Sequence, residues 1–123
     1  MKKIGLSILV VMSLILHLSG CATVPPREQM ENANYGNYPN NYQEIIKEYY
    51  SRVLFDPYSA HYRWIKSPYK GYFSALGKFN YGYVVHVGIN AKNRLGGYVG
   101  EKQEAVLIHN DAVINAMPLM LMN

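Results

Sequence analysis

The chain has a single cysteine in 123 residues, Cys21, and so no thiol partner with which to close an internal disulfide. It also lacks an apolar run of the roughly 20 residues that a membrane-spanning helix needs. The longest, residues 4–18, is shorter and is interrupted by Gly5, Ser7, Ser13 and His17. Acidic residues are few, 8 against 12 Lys and Arg, yet the basic surplus is small. The formal charge of +4 falls to +2 once the N-terminal Lys2 and Lys3 are set aside. That is too weak a field to argue for nucleic acid as a partner. These absences leave one small domain that must rely on its apolar core.

What is present begins with a leader. Met1-Lys2-Lys3 is a positive start, residues 4–18 are an apolar stretch, and Ser19 and Gly20 are small residues at a cut site. This is the layout of a secretory signal. An uncleaved anchor or an ordinary secreted protein with a chance cysteine are the competing readings. The short apolar stretch counts against the first, and the meeting of the small residues with the sole cysteine counts against the second. The junction Leu18-Ser19-Gly20-Cys21 resembles the lipobox of bacterial lipoprotein precursors. The resemblance implies removal of residues 1–20 by cleavage between Gly20 and Cys21, and acylation of Cys21, with palmitate among the expected chains. It also implies a protein held on a membrane and facing the periplasm. Ala22 stands where an aspartate often signals inner-membrane retention in that family, which favours the outer membrane in a host with two membranes. One acyl chain binds a bilayer marginally, whereas two or three hold firmly.

Residues 21–40 then read as the lipidated cysteine and a flexible tether. Pro25, Pro26, Gly36 and Pro39 alternate with asparagines and few aliphatic side chains, too little apolar surface to offset the entropy of ordering. As a coil it would reach ~25 Å. A single domain is expected over residues 41–123, of α+β class, with one N-terminal amphipathic helix packed on a small antiparallel sheet of three to five strands. Asn41 and Glu44 have the spacing of a capping box. Ile45, Ile46, Tyr49, Tyr50, Val53 and Leu54 form a stripe at helical period, and Asp56-Pro57 ends it. Beyond Pro57 the period becomes two. Strands are expected at 60–66, broken by Ser67-Pro68, at 78–90 with one buried and one wetter face, and in a terminal hairpin of 103–109 and 112–115. Residues 92–100 read as a glycine-rich turn, and the apolar tail 118–122 either completes the core or inserts into a partner.

Little in the chain carries catalytic chemistry. With Cys21 acylated no cysteine nucleophile remains. His61, His86 and His109 fall in different expected strands and form no metal-binding pair at helical spacing, and strands adjacent in space could still gather them. The carboxylates show no local pairing, and the serines lack a nucleophile-elbow context. Gly96-Gly97-Tyr98-Val99-Gly100 lacks the lysine of a phosphate loop, so hairpin geometry explains its glycines better. No catalytic residue, metal or cofactor is expected beyond the lipid on Cys21.

Two segments, 56–63 and 90–100, resemble small uncharacterised proteobacterial envelope proteins, a likeness that implies location and no activity. The remaining pointer is aromatic content. Twelve tyrosines and Trp64 exceed what one small core hides, and tyrosine suits interfaces and sugar stacking. Tyr62, Trp64, Tyr69, Tyr72, Tyr81 and Tyr98 are the candidate binding surface. The expected function is a non-enzymatic envelope lipoprotein, a binding or assembly module in an outer-membrane or secretion-system complex whose partner is another envelope protein. The alternative is an immunity or inhibitor lipoprotein against a toxin or cell-wall hydrolase, and a cell-wall-acting enzyme is the third class. A loop at 93–100 shaped to plug a cleft would favour the inhibitor.

Overall fold

Alternation at period two builds most of the fold. The computed structural model describes residues 24–122, so the leader, its cleavage site and Cys21 lie outside the described residues. Four strands, β1 (His61–Ala75), β2 (Lys78–Asn90), β3 (Lys102–His109) and β4 (Ala112–Pro118), form one antiparallel sheet in the order β1-β2-β3-β4. Among the described residues two α-helices precede it, α1 (Arg27–Glu31) and α2 (Tyr42–Val53), and short 3-10 turns stand at Pro57–Ser59 and Leu119–Leu121. The class is α+β.

β1 does not stop at Ser67-Pro68 as expected. It continues to Ala75, and its register with β2 shifts between Trp64 and Lys66 and again between Lys66 and Tyr69. A proline costs a ladder hydrogen bond, which an edge strand tolerates at a bulge. β1 is such an edge. The terminal hairpin is also longer than expected, because β4 runs on to Pro118.

The face of β2 expected to be wetter carries its exposed residues, Lys78 and Asn80, with His86 and Asn90 half-buried, yet both faces of the sheet also bury apolar side chains. On one face Val85, Val87 and Ile89 of β2 and Val106 and Ile108 of β3 meet Ile45, Ile46 and Tyr50 of α2. On the other, Phe73, Val84, Ala105 and Leu107 are covered in part by Met117, Leu119 and Met122. The apolar tail therefore folds back onto the second face, while Met120 and Leu121 stay exposed. A strand covered on both sides needs apolar residues at successive positions, as in Val84-Val85 and the run Ala105-Val106-Leu107-Ile108.

α2 starts without the expected capping box. Asn41 makes no side-chain cap bond, and its carbonyl accepts from the N–H groups of Glu44 and Ile45. The N–H of Tyr42 is taken by the carbonyl of the fully buried Pro39, which leaves less for a side-chain cap to satisfy.

Residues 24–40 differ from the expected free tether. Tyr35 meets Tyr81 edge-on at 5.6 Å and Tyr38 meets Tyr83 at 5.3 Å. The Asn37 N–H donates to Asn110 Oδ1 across the β3–β4 turn. Gly36 has φ +76°, and a Cβ there would lie 2.7 Å from Asn110 Oδ1, so only glycine allows this approach. Edge-on aromatic pairs supply the burial that the aliphatic-poor composition seemed to deny.

This arrangement gives the sheet two unlike ends. The near end carries α1, the β1–β2 turn at Leu76-Gly77 and the β3–β4 turn at Asn110-Asp111. The far end carries the C-terminus of α2 and the loop that joins β2 to β3.

Candidate functional site

At the far end the helix stripe runs past the sheet. Leu54 closes α2, its N–H donating to the Tyr50 carbonyl at 2.9 Å. Val53, expected in the core, is instead 56 % exposed, and Phe55 beyond it is 65 % exposed. The 3-10 turn Pro57–Ser59 then redirects the chain into β1, with Ser59 Oγ donating to the Asp56 carbonyl.

The facing wall is the β2–β3 loop, which is tied at several points. Asn93 Oδ1 accepts from the N–H groups of Leu95 and Gly97, and Asn93 N–H donates to the Gly97 carbonyl at 2.9 Å. An asparagine that bonds to backbone two and four residues ahead fixes a turn by itself. Gly96, at φ +78°, completes it. Lys92 pairs with Tyr98 through a bridge, and Tyr98 O–H donates to the Ser59 carbonyl at 2.9 Å. Lys92 N–H in turn donates to Ser59 Oγ at 2.8 Å. At the loop's return Arg63 forms a two-pronged pair with Glu101. That pair lies over β2, where a Cβ on Gly88 would fall within 2.6 Å of the Glu101 carboxylate. The glycine at this position is thus a clearance for the ion pair. The tied loop holds Leu95 at 94 % exposure.

Between helix end and loop lies a cleft of about 340 Å³. Tyr50, Val53, Leu54 and Phe55 form one wall, Val99 and Gly100 the other, with Ile89, Lys102 and Glu104 of the strands among the lining. Burial pushes the Glu104 carboxyl up from its ordinary value, against the opposing pull of Lys102. Burial also raises the Tyr50 phenol strongly, and the Glu104 charge adds to it. A phenol held protonated donates a hydrogen bond and is no nucleophile, while an apolar wall beside a desolvated carboxylate suits a side chain with an apolar stem and a polar head. The lining contains no histidine or cysteine.

The six aromatic residues expected to form one surface occupy four places. Tyr62 stacks on Trp64 at 5.7 Å beneath α2, in contact with Tyr50 and Tyr42. Tyr72 and Tyr81 pair at 6.1 Å on the same face near Tyr35, toward the near end. Tyr69 lies on the opposite face by plain alternation, because the two register shifts in β1 together move the pairing by two residues and leave the phase of Trp64 and Tyr72 unchanged. Its hydroxyl is 2.8 Å from His86 Nε2, and Lys66 Nζ stands 4.0 Å from its ring centre. Burial and Lys66 hold the His86 pKa down. Tyr98 is in the far-end loop. The histidines are similarly dispersed: His61 faces the Tyr98 hydroxyl, His86 faces Tyr69, and His109 Nδ1 lies 2.9 Å from the Tyr81 carbonyl.

Leu95 and Val99 lie in the 93–100 loop already singled out in the sequence, whereas Val53 as cleft wall, Phe55 and Glu104 were missed. Only Phe55 gave a signal, as an aromatic residue one step outside the helical stripe and next to Asp56-Pro57. No protein-family model, curated protein or solved structure matches the chain.

Proposed function

We propose that the chain is a membrane-anchored envelope lipoprotein, acylated on Cys21, that works as a non-enzymatic binding module for another envelope protein. The body that carries the role is the amphipathic helix laid on the small antiparallel sheet, and the contact is made by its far end. The observation that supports this is the collection of exposed apolar side chains there, Val53 and Phe55 at the end of α2 and Leu95 and Val99 on a loop already tied into one shape. Apolar side chains held in water around a concave site mark an interaction surface, and a loop ordered in advance spares part of the entropy of binding. An outer-membrane or secretion-system assembly is the setting.

The same loop favours a second reading. Leu95 at the tip of a stapled projection suits a plug for a cleft in a toxin or hydrolase, which is an immunity or inhibitor role. The test is position-resolved crosslinking in cells. A photoreactive residue at Leu95 in the acylated protein is expected to yield one dominant envelope-protein adduct that is lost in the Cys21→Ala form. A secreted hydrolase or toxin as the adduct selects the second reading. No adduct from Leu95, or unchanged membrane fractionation of Cys21→Ala, defeats the proposal.

A further inference from the structure

The near end carries a feature that folding does not explain. The β1–β2 turn places Leu76 at φ +50° and Gly77 at φ +74°. Two successive positive φ values define the mirror-image turn that suits paired antiparallel strands, in which asparagine or glycine is the usual first residue. The other near-end turn follows that preference with Asn110 and Asp111 at φ 47° and 60°. Leu76 instead puts an apolar side chain in the strained left-handed region and leaves it 102 % exposed. It gains no packing in return among the described residues.

Three further observations concern the same end. First, the near-end half of the β1–β2 hairpin, residues 69–84, contains no acidic residue and carries Lys70 and Lys78. Second, rings gather beside the turn: Tyr72 meets Phe79 edge-on at 5.6 Å and Tyr81 at 6.1 Å. Tyrosine is enriched at the level where lipid headgroups meet hydrocarbon. Third, the anchor point is close. Pro25 is buried, and Pro26 lines a hollow of about 580 Å³ together with Tyr81 of β2. Only five residue steps separate Cys21 from Pro26, a span of at most about 18 Å.

Resting on the Cys21 anchor proposed above, we infer that the near end is seated on an anionic phospholipid surface, with Leu76 inserted among the lipids. The β1–β2 hairpin projects past the β3–β4 turn, since Tyr83 pairs with Ile108 and the hairpin runs on to Ala75 and Lys78, and the short leash brings the bilayer that holds the acyl chains to that tip. Lys70 and Lys78 meet the anionic headgroups, Tyr72 lies at their level, and Leu76 enters the apolar layer below. β2 is 13 residues long and at about 3.3 Å per residue spans roughly 43 Å. The far-end cleft and Leu95 then stand about that distance from the lipid surface, turned toward partners.

The experiment uses the processed, acylated protein in vesicles of phosphatidylethanolamine and phosphatidylglycerol. Since the thiol of Cys21 is consumed by acylation, Leu76→Cys and Leu95→Cys each offer one free thiol for an environment-sensitive fluorophore. Nitroxide-bearing lipid is expected to quench the Leu76→Cys probe several-fold more than the Leu95→Cys probe, with weaker quenching when phosphatidylglycerol is replaced by phosphatidylcholine. The mass of the vesicle-bound protein is measured in parallel. Equal quenching of the two probes, or none at Leu76→Cys, on a protein whose mass shows an acylated Cys21 overturns the seating and leaves the anchor standing. A mass that shows an unmodified Cys21 overturns both.

Discussion

Replacing Ile46 by alanine tests the packing between α2 and the sheet. Ile46 is fully buried among Tyr50, Val85, Val87, Val106 and Ile108. The substitution removes three carbons from a closed site, a transfer loss of about 2.4 kcal/mol at roughly 0.8 per methylene. A cavity cost adds to it, because β2 and β3 are held by ladder bonds on both sides and cannot collapse into the gap. The expected loss is about 3 kcal/mol, or ~12–24 °C in melting temperature for a domain near 100 residues. Val53, which shares the helical stripe in sequence but stands 56 % exposed, should lose no more than about 0.5 kcal/mol on change to alanine. Urea and thermal unfolding of residues 24–123, followed by circular dichroism, measure both. If the two substitutions cost the same, or if Ile46→Ala is neutral, α2 does not pack on the sheet as described.

Other expectations follow from single sites. Leu76→Asn relieves left-handed strain without losing a contact, so it should stabilise the fold by about 0.5–1 kcal/mol in urea unfolding; a loss would show that Leu76 packs within the chain. Gly88→Ala should destabilise through collision with the Glu101 carboxylate, and the double variant with Glu101→Ala should recover most of the loss. Recovery failing to appear would locate the conflict in the backbone. Glu104 has a folded-state pKa above its ordinary 4.5, so the fold binds its proton more tightly than the unfolded chain does. Its contribution is therefore fully present below about pH 4.5 and is lost as pH rises through the folded value. Glu104→Gln should raise stability at pH 7 relative to the native chain and not at pH 4, read from denaturant midpoints; an equal effect at both would refute the assignment.

Period-two alternation made β2 legible to the residue, since Lys78 to Asn90 is uninterrupted by proline. The same reasoning failed at β1 because a proline there meant a bulge on an edge strand, and edge position is a tertiary fact. The segment 24–40 was misread because its burial comes from single tyrosines meeting rings on β2, a pairing that no local pattern records. The candidate site was hidden for a related reason. Val53 belongs to the apolar stripe by period, and only the overhang of α2 beyond the sheet makes it cleft wall. Glu104 looked like one more strand carboxylate until Tyr50 and Ile89 lay beside it.

The central claim is that the far end, and no other surface, meets a protein partner. Photocrosslinking in cells from four positions in turn, Leu95, Phe55, Lys78 and Ser74, tests it most directly. The account predicts one shared protein adduct from Leu95 and Phe55 and none from Lys78 or Ser74. The same adduct from all four, or from the near-end positions alone, would contradict it.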